Sequence, residues 1–398
     1  MPRRERAALT TLAAVAAVLV TACEPAGDGG AATRVPFERA WLAGDLHVHS
    51  TGASNDTDDA SFPADIARVA RARGLAWVVL TDHSNATGSM ACEDVEECPN
   101  QGPEFPYAEE ALAVSGDGFH MVDGNEISPI ESLSPPSGPV GHVGCIPPDD
   151  GFSFVGSFTD RPPGAVDGAS AVGQCRDAGG WAVVNHPFAP ATWITYDWTT
   201  TDFDGLEVWN GGARWDAWDR RGLWAWECLV STGRPVVPVA GSDVHRVQTE
   251  PPGRLLPPNP PLGQPRTSVA VDAPGGGWAA IGAGLRAGRV VLHEEGTFVE
   301  GWAEAEGEEW RVRGRAPVPS QVELRSIAPG AVGSCDPAGL EAPLHEVAWT
   351  APVEGDFDLP TEVPARAGEL VYLALTRPDL LDIGEGDVAL TGLLSVGW

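Results

Sequence analysis

One pattern constrains this chain more than any other. A short apolar run, of strand length and bounded by turn residues, repeatedly ends in a side chain able to bind a metal. Trp41-Leu42-Ala43-Gly44 leads into Asp45-Leu46-His47-Val48-His49, and residues 76–80 lead into Thr81-Asp82-His83. Residues 119–122 precede Gly124-Asn125-Glu126, and 181–184 precede Asn185-His186-Pro187. Residues 206–209 run into Asn210, and 236–240 into Gly241-Ser242-Asp243-Val244-His245.

Helical segments are expected between several of these strands. Ser61-Phe62-Pro63 opens one with a capping residue and an early proline, Ile66, Val69 and Ala70 form its apolar stripe, and Gly74 closes it. Residues 171–178, 215–230 (closed by Gly233) and 278–285 are further helices. Strand, ligand, helix, strand is the rhythm of an α/β protein with a parallel sheet or barrel. In such barrels chemistry gathers at the carboxyl ends of the strands, where these residues fall. Residues 88–106 and 128–163 read as long loops over the site. Beyond 296, alternating stretches such as Trp310-Arg311-Val312-Arg313 suggest a small antiparallel β domain over 297–398.

The chemistry begins with His47-Val48-His49. Residues two apart on a strand share a face, so both imidazoles can reach one ion. Six of the nine histidines (47, 49, 83, 142, 186 and 245) fall in strand-end or glycine-flanked motifs, five of them beside another ligand candidate. His120, His293 and His345 fall outside and read as structural. Mixed imidazole and carboxylate donors suit Zn, Mn or Fe, and a carboxylate can bridge two ions. Ligating histidines need an acceptor on the other ring nitrogen, a role open to Asp45 and Asp82, although either could simply solvate a loop. A phosphate substrate would call for an arginine. Arg266, in Pro265-Arg266-Thr267, is the candidate for that role, with Arg214 and Arg246 nearby in sequence, and for each alone a surface salt bridge or solvated charge is the competing reading. The tryptophans at 215, 218, 224 and 226 are expected to pack a helix.

The ordered set of motifs resembles the polymerase and histidinol phosphatase (PHP) superfamily of metal-dependent phosphoesterases over roughly residues 41–295. It is most similar to the CehA/McbA-type metallohydrolase branch, also through Leu206-Glu207-Val208-Trp209-Asn210. The resemblance implies a distorted (β/α)7 barrel with two or three divalent metal ions. His47, His49, Glu126 and Asp243 would hold one ion, and Glu126 would bridge to a second held by His142 and His186. His83 and His245 would serve a third or complete the second. The superfamily often carries another His or Asp soon after the H-x-H, and here Asp56 is the candidate.

Composition narrows the partners. With 25 basic and 56 acidic residues, a net charge of −31 and no lysine, the chain repels nucleic acid at long range. Arg3, Arg4 and Arg6 precede an apolar run at 7–22, short for a membrane span, that ends Leu19-Val20-Thr21-Ala22-Cys23. That ending resembles a bacterial lipobox. Residues 1–22 are then a signal peptide, Cys23 the lipid anchor and 23–40 a tether, with the protein on the periplasmic or cell-surface face of a membrane. An uncleaved anchor helix is the competing reading. The six cysteines left over suit an oxidising compartment. Cys92 with Cys98 is the best local pair, and Cys145 with Cys175 and Cys228 with Cys335 are two guesses among 15 connectivities.

The reading that results is a hydrolase using a metal-bridging hydroxide, with a phosphoester as first substrate class. A carbamate, amide or carboxylic ester at the same site is the second. A non-catalytic, metal-stapled surface binding protein is the third.

Overall fold

The computed structural model describes residues 40–54, 57, 59–83, 107–129, 141–152, 167–188, 198, 201–212, 215–247, 260–273, 275–335, 340–378 and 385–395. The signal segment, Cys23, Asp56, Cys92, Cys98 and Arg214 lie outside them.

The first strand, β1 (Ala40–Val48), carries the H-x-H motif at its end. Helix α1 (Pro63–Ala72) follows, with proline in its first turn and Gly74 left-handed just beyond it (φ 69°). Ser61 does not cap it. Phe62 is the N-cap and makes no side-chain cap bond, while Ser61 Oγ accepts from Val247 N over 3.1 Å. Then come β2 (Trp77–Leu80), the short helix α2 (Ala108–Val114) that the sequence reading lacked, and β3 (His120–Asp123). Gly44 is required by close approach, since a Cβ there would lie inside the Trp77 indole.

Only Gly124 separates β3 from β4 (Asn125–Ile127), too little chain for a crossover helix. A Cβ at Gly124 would stand 2.8 Å from the carbonyl oxygens of Cys145 and Leu80. The chain thus turns directly into a second sheet, ordered β4-β5-β6-β7-β8. Its other members are β5 (His142–Ile146), β6 (Trp181–Asn185), β7 (Gly205–Asn210) and β8 (Val237–Gly241). Strands β6, β7 and β8 run parallel, whereas β4/β5 and β5/β6 are antiparallel. Helices α3 (Gly168–Asp177) and α4 (Ala217–Ser231) serve this sheet, and a capping box between Asp216 and Asp219 starts the second.

The larger sheet is continuous with the C-terminal strands. It includes β9 (Arg266–Val271) and β10 (Val290–His293), with α5 (Gly277–Arg286) between them. It continues through β11 (Phe298–Trp302), β12 (Glu309–Ile327), β13 (His345–Pro364), β14 (Leu370–Pro378) and β15 (Glu385–Thr391). Its order is β11-β12-β14-β15-β10-β9-β1-β2-β3, with β13 paired to β12. The antiparallel character expected after residue 296 is present.

The architecture is therefore mixed α/β in two mixed sheets, and no closed barrel ladder forms among the described residues. The sheets still meet at two seams. One is the bridge Val48–Val244, with His49 N donating to Val244 O and Asp243 N to His47 O. The other is the bridge His83–Glu126. Both seams run through ligand candidates, so the joint between the sheets is also where the chemistry collects. The stretch 128–163, expected to be loop, contains β5 and with it His142.

Disulfides Cys145–Cys175 and Cys228–Cys335 are both formed. The first ties α3 to β5, and the second ties α4 to the segment after β12. No helix among the described residues is long and apolar enough to cross a membrane.

Candidate metal centre

Every described ligand candidate converges on the two seams. His47 and His49 share a face of β1 as the two-residue period requires, with ring centroids 5.3 Å apart. Strand β4 delivers Glu126 between them and the other histidines. Its Oε1 lies 3.1 Å from His47 Nε2, 3.0 Å from His142 Nδ1 and 3.3 Å from His186 Nε2. Its Oε2 lies 3.1 Å from His83 Nδ1 and 3.6 Å from His49 Nε2. One carboxylate thus touches five imidazoles. Asp243 Oδ1 adds contacts of 3.3 Å to His47 Nε2, 3.2 Å to His49 Nε2 and 3.7 Å to His245 Nδ1. His142 stands at the start of its strand, yet it reaches the same place because β5 runs against β6 and pairs His142 with Asn185.

Four overlapping triads hold donor atoms within 4.8 Å of one another. They are His47–His49–Glu126, His47–His186–Asp243, His83–Glu126–His142 and His49–His83–His245. Hydrogen bonding decides what those donors offer. His47 Nδ1 faces Glu207 Oε1 at 3.0 Å, and a carboxylate accepts, so the proton sits on Nδ1. His49 Nδ1 lies 3.0 Å from Ser54 Oγ, whose own proton goes to Asp82 Oδ1 at 2.9 Å. Ser54 therefore accepts from His49. In both rings Nε2 is left facing carboxylate oxygens, with a lone pair available whenever the ring is neutral.

Nε2 of His47, Nε2 of His49 and Oε2 of Glu126 are buried without a hydrogen-bond partner. Acceptor against acceptor in a dry pocket is repulsive, and each unsatisfied buried group costs about 1–3 kcal/mol. A cation among them removes that cost, so the residues fit a divalent metal.

The electrostatics agree. Burial opposes ionisation of Glu126, but His142 and His47 outweigh it and hold the carboxyl well below the usual range. Asp243 is likewise held low against its burial by His47, His49 and His245. Burial, with His245 beside it, pushes His49 down to about 3, and burial pushes His142 down to about 4. Neutral imidazoles and ionised carboxylates are the states that bind metal. His47 goes the other way: burial lowers it, yet Asp243, Glu207 and Glu126 raise it well above the ordinary value. Three carboxylates around one ring make a pocket that attracts cations.

Backbone strain marks the same residues. His186 (φ 28°) and Asp243 (φ 53°) are both left-handed without being glycine, a state that persists only where surroundings enforce it. Gly241, two residues before Asp243, has no room for a Cβ, which would overlap that of His47.

Asp45 and Asp82 are at the centre but do not bond a histidine ring. Asp45 Oδ1 accepts from the backbone of Ser242 (3.0 Å) and His47 (3.2 Å), and Oδ2 accepts from Gly263 N (2.7 Å). It pins loops. Asp82 accepts from Ser50 N at 2.6 Å and from Ser50 Oγ at 2.5 Å, and it reaches His49 only through Ser54. Arg266 is engaged by other partners: Nε donates to Gly263 O at 2.9 Å, Nη1 to Arg73 O at 3.3 Å, and Nη2 lies 3.2 Å from Glu295. None of these partners is a ligand candidate.

Sequence reasoning missed Glu207 and Asn185 as supports. Asn185 Nδ2 donates to Glu126 Oε1 at 2.8 Å. Both lay within motifs already singled out, Leu206-Glu207-Val208-Trp209-Asn210 and Asn185-His186-Pro187, but no supporting role was assigned to either. His293 and His345 lie elsewhere, bonded to Ser268 and Glu227, and His120 is half-buried near Asp150. Trp226 packs in the core and Trp215 against Trp209, as expected. Trp218 packs against the same core and also lines a cavity of ≈ 40 Å³ shared with His186, Phe188, Asn210 and Asp219.

No protein-family model and no curated protein matches this chain. Among solved structures it is similar to endonuclease Q in complex with a 27-mer duplex substrate bearing an abasic lesion at the active site. The sequence identity is 16% and the TM-score 0.37. The similarity covers 63% of this chain and 56% of that one, so the chain spans little more than half of that protein's length.

Proposed function

We propose that this chain is a metal-dependent hydrolase of PHP type acting on an ester, a phosphoester first. The observation that carries the reading is Glu126, buried and within 3.6 Å of five imidazole nitrogens. His47, His49, Glu126 and Asp243 would hold one ion, Glu126, His142 and His186 a second, with His83 and His245 completing the set. Two or three ions of Zn, Mn or Fe fit this donor chemistry.

Bound divalent ions supply an acidified water and Lewis acidity toward the substrate oxygen. The chain's own contribution is orientation. Asn185 fixes Glu126, Ser54 and Asp82 fix the His49 proton on Nδ1, and Asp45 clamps the Ser242 loop that presents Asp243. His245 and Asp243, each with 24% side-chain exposure, form the open rim where a substrate would arrive.

A second reading, a carbamate, amide or carboxylic ester substrate, is favoured by Arg266. Its guanidinium is committed to Gly263, Arg73 and Glu295, so it is not offered to a phosphate. The test is a panel of aryl phosphoesters against aryl carboxyl esters and carbamates, after Mn or Zn is restored. Turnover of either class that disappears on chelation supports the hydrolase and assigns the substrate; turnover surviving thorough chelation overturns it.

The two disulfides fit an oxidising compartment. Export as a lipoprotein through Cys23 is proposed on the sequence alone. Mass spectrometry of the mature N-terminus tests it, and an unmodified Cys23 would contradict it. The charge of −31 supports a small-molecule rather than a nucleic-acid partner.

A further inference from the structure

Glu207 lies on β7, outside every ligand triad, and its side chain is wholly buried. Its two oxygens make three bonds. Oε1 accepts from His47 Nδ1 at 3.0 Å, and Oε2 accepts from His186 N at 2.8 Å and from Asn210 Nδ2 at 3.1 Å. Asn210 Nδ2 in turn lies 3.3 Å from Asp243 Oδ2. His47, His186 and Asp243 are the members of one of the four triads. Glu207 therefore reaches all three: the first by its ring, the second by its backbone, the third through one amide.

Both histidines also touch Glu126, His47 Nε2 at 3.1 Å and His186 Nε2 at 3.3 Å, so Glu207 stands one side chain away from that carboxylate. The arrangement matters because His186 and Asp243 carry the left-handed backbone, and the bond to His186 N restrains that strained residue directly. Losing Glu207 would release the His47 proton to either nitrogen and let two strained ligands relax.

We infer that Glu207 is a positioning residue shared by two ions, fixing His47 and, through Asn210, Asp243 in one ligand set and His186 in the other. The inference rests on the metal-centre reading above. Partners that orient a ligating histidine typically change metal affinity by roughly 10–100-fold.

The experiment is equilibrium dialysis of full-length protein against graded Zn, with bound metal counted per chain, for wild type, Glu207→Gln and Asn210→Ala. Thermal melting of each metal-stripped protein runs alongside. Glu207→Gln should bind two ions about 10–100-fold more weakly, with apo melting close to wild type. Asn210→Ala should weaken chiefly the ion held through Asp243, by a smaller factor. It serves as the working variant should Glu207→Gln fail to fold. Wild type that binds no ion defeats the metal reading itself. Wild type that binds ions while both variants keep every affinity, or lose them only together with a collapse of apo melting, overturns the role of Glu207 and leaves the metal reading standing.

Discussion

His49 Nδ1 donates to Ser54 Oγ across 3.0 Å, and this contact settles which nitrogen of the ring faces Asp243. Ser54 can accept because Asp82 takes its proton. Replacing Ser54 with alanine lets the His49 proton move to Nε2. Ser54→Ala is expected to weaken metal binding by about tenfold while costing about 1 kcal/mol of stability. Metal titration with parallel denaturation checks this, and unchanged affinity would remove Ser54 from the account.

Gly241 makes a steric claim. A Cβ there would overlap His47 Cβ and stand 3.0 Å from Glu207 Oε1, and neither neighbour has a flexible end to swing away. Gly241→Ala should destabilise the fold by roughly 1–3 kcal/mol and displace His47. Urea unfolding reads the first effect and metal content the second. A variant equal to wild type in both would show that the close approach is absent.

Both claims show how much was readable before the fold. The ligand candidates announce themselves because a binding residue at a strand end interrupts an apolar run, and a two-residue period places His47 and His49 together. Glu207 is different: it sits inside the apolar strand Gly205–Asn210, where only the tertiary fold shows that its carboxylate meets His47 and His186. Asp45 and Asp82 are legible as important but not as backbone clamps, since their partners Ser242, Gly263 and Ser50 come from other segments. The strand-and-helix rhythm announces the α/β class but not each strand's direction, because direction is set by connections. The single residue between β3 and β4 forces a change of sheet, and β5 then runs antiparallel to both its neighbours.

Away from the centre, His293 provides a pH signature. Burial first, then the charge of Arg266, push its ring from 6.5 down to about 4, and it is held neutral between Ser268 Oγ (2.8 Å) and Glu294 O (3.0 Å). A depressed folded pKa means that the unfolded chain takes up the proton first. Stability from this group is complete above about pH 6.5 and is lost as pH falls toward 4, by about 3 kcal/mol in all. His293→Gln should flatten that part of the acid limb in denaturation series between pH 7.5 and 4.5. An identical slope in variant and wild type would show that His293 is not the group responsible.

The Cys228–Cys335 bridge closes a sequence separation of 107 residues, so the chain-entropy argument assigns it up to about 5 kcal/mol. Paired serine substitution should lower the unfolding midpoint markedly, while metal content stays as it was because neither cysteine touches the centre. Loss of metal along with stability would mean that α4 transmits more to the site than its hydrogen bonds indicate.

The most direct measurement is elemental analysis of the purified protein beside Glu126→Gln. The account expects two or more divalent ions per chain in the wild type. It expects a fall of at least one ion in the variant, because this carboxylate stands in both the His47–His49 and His83–His142 triads. A metal-free wild type after reconstitution with Zn or Mn, or a variant that retains every ion, would contradict it.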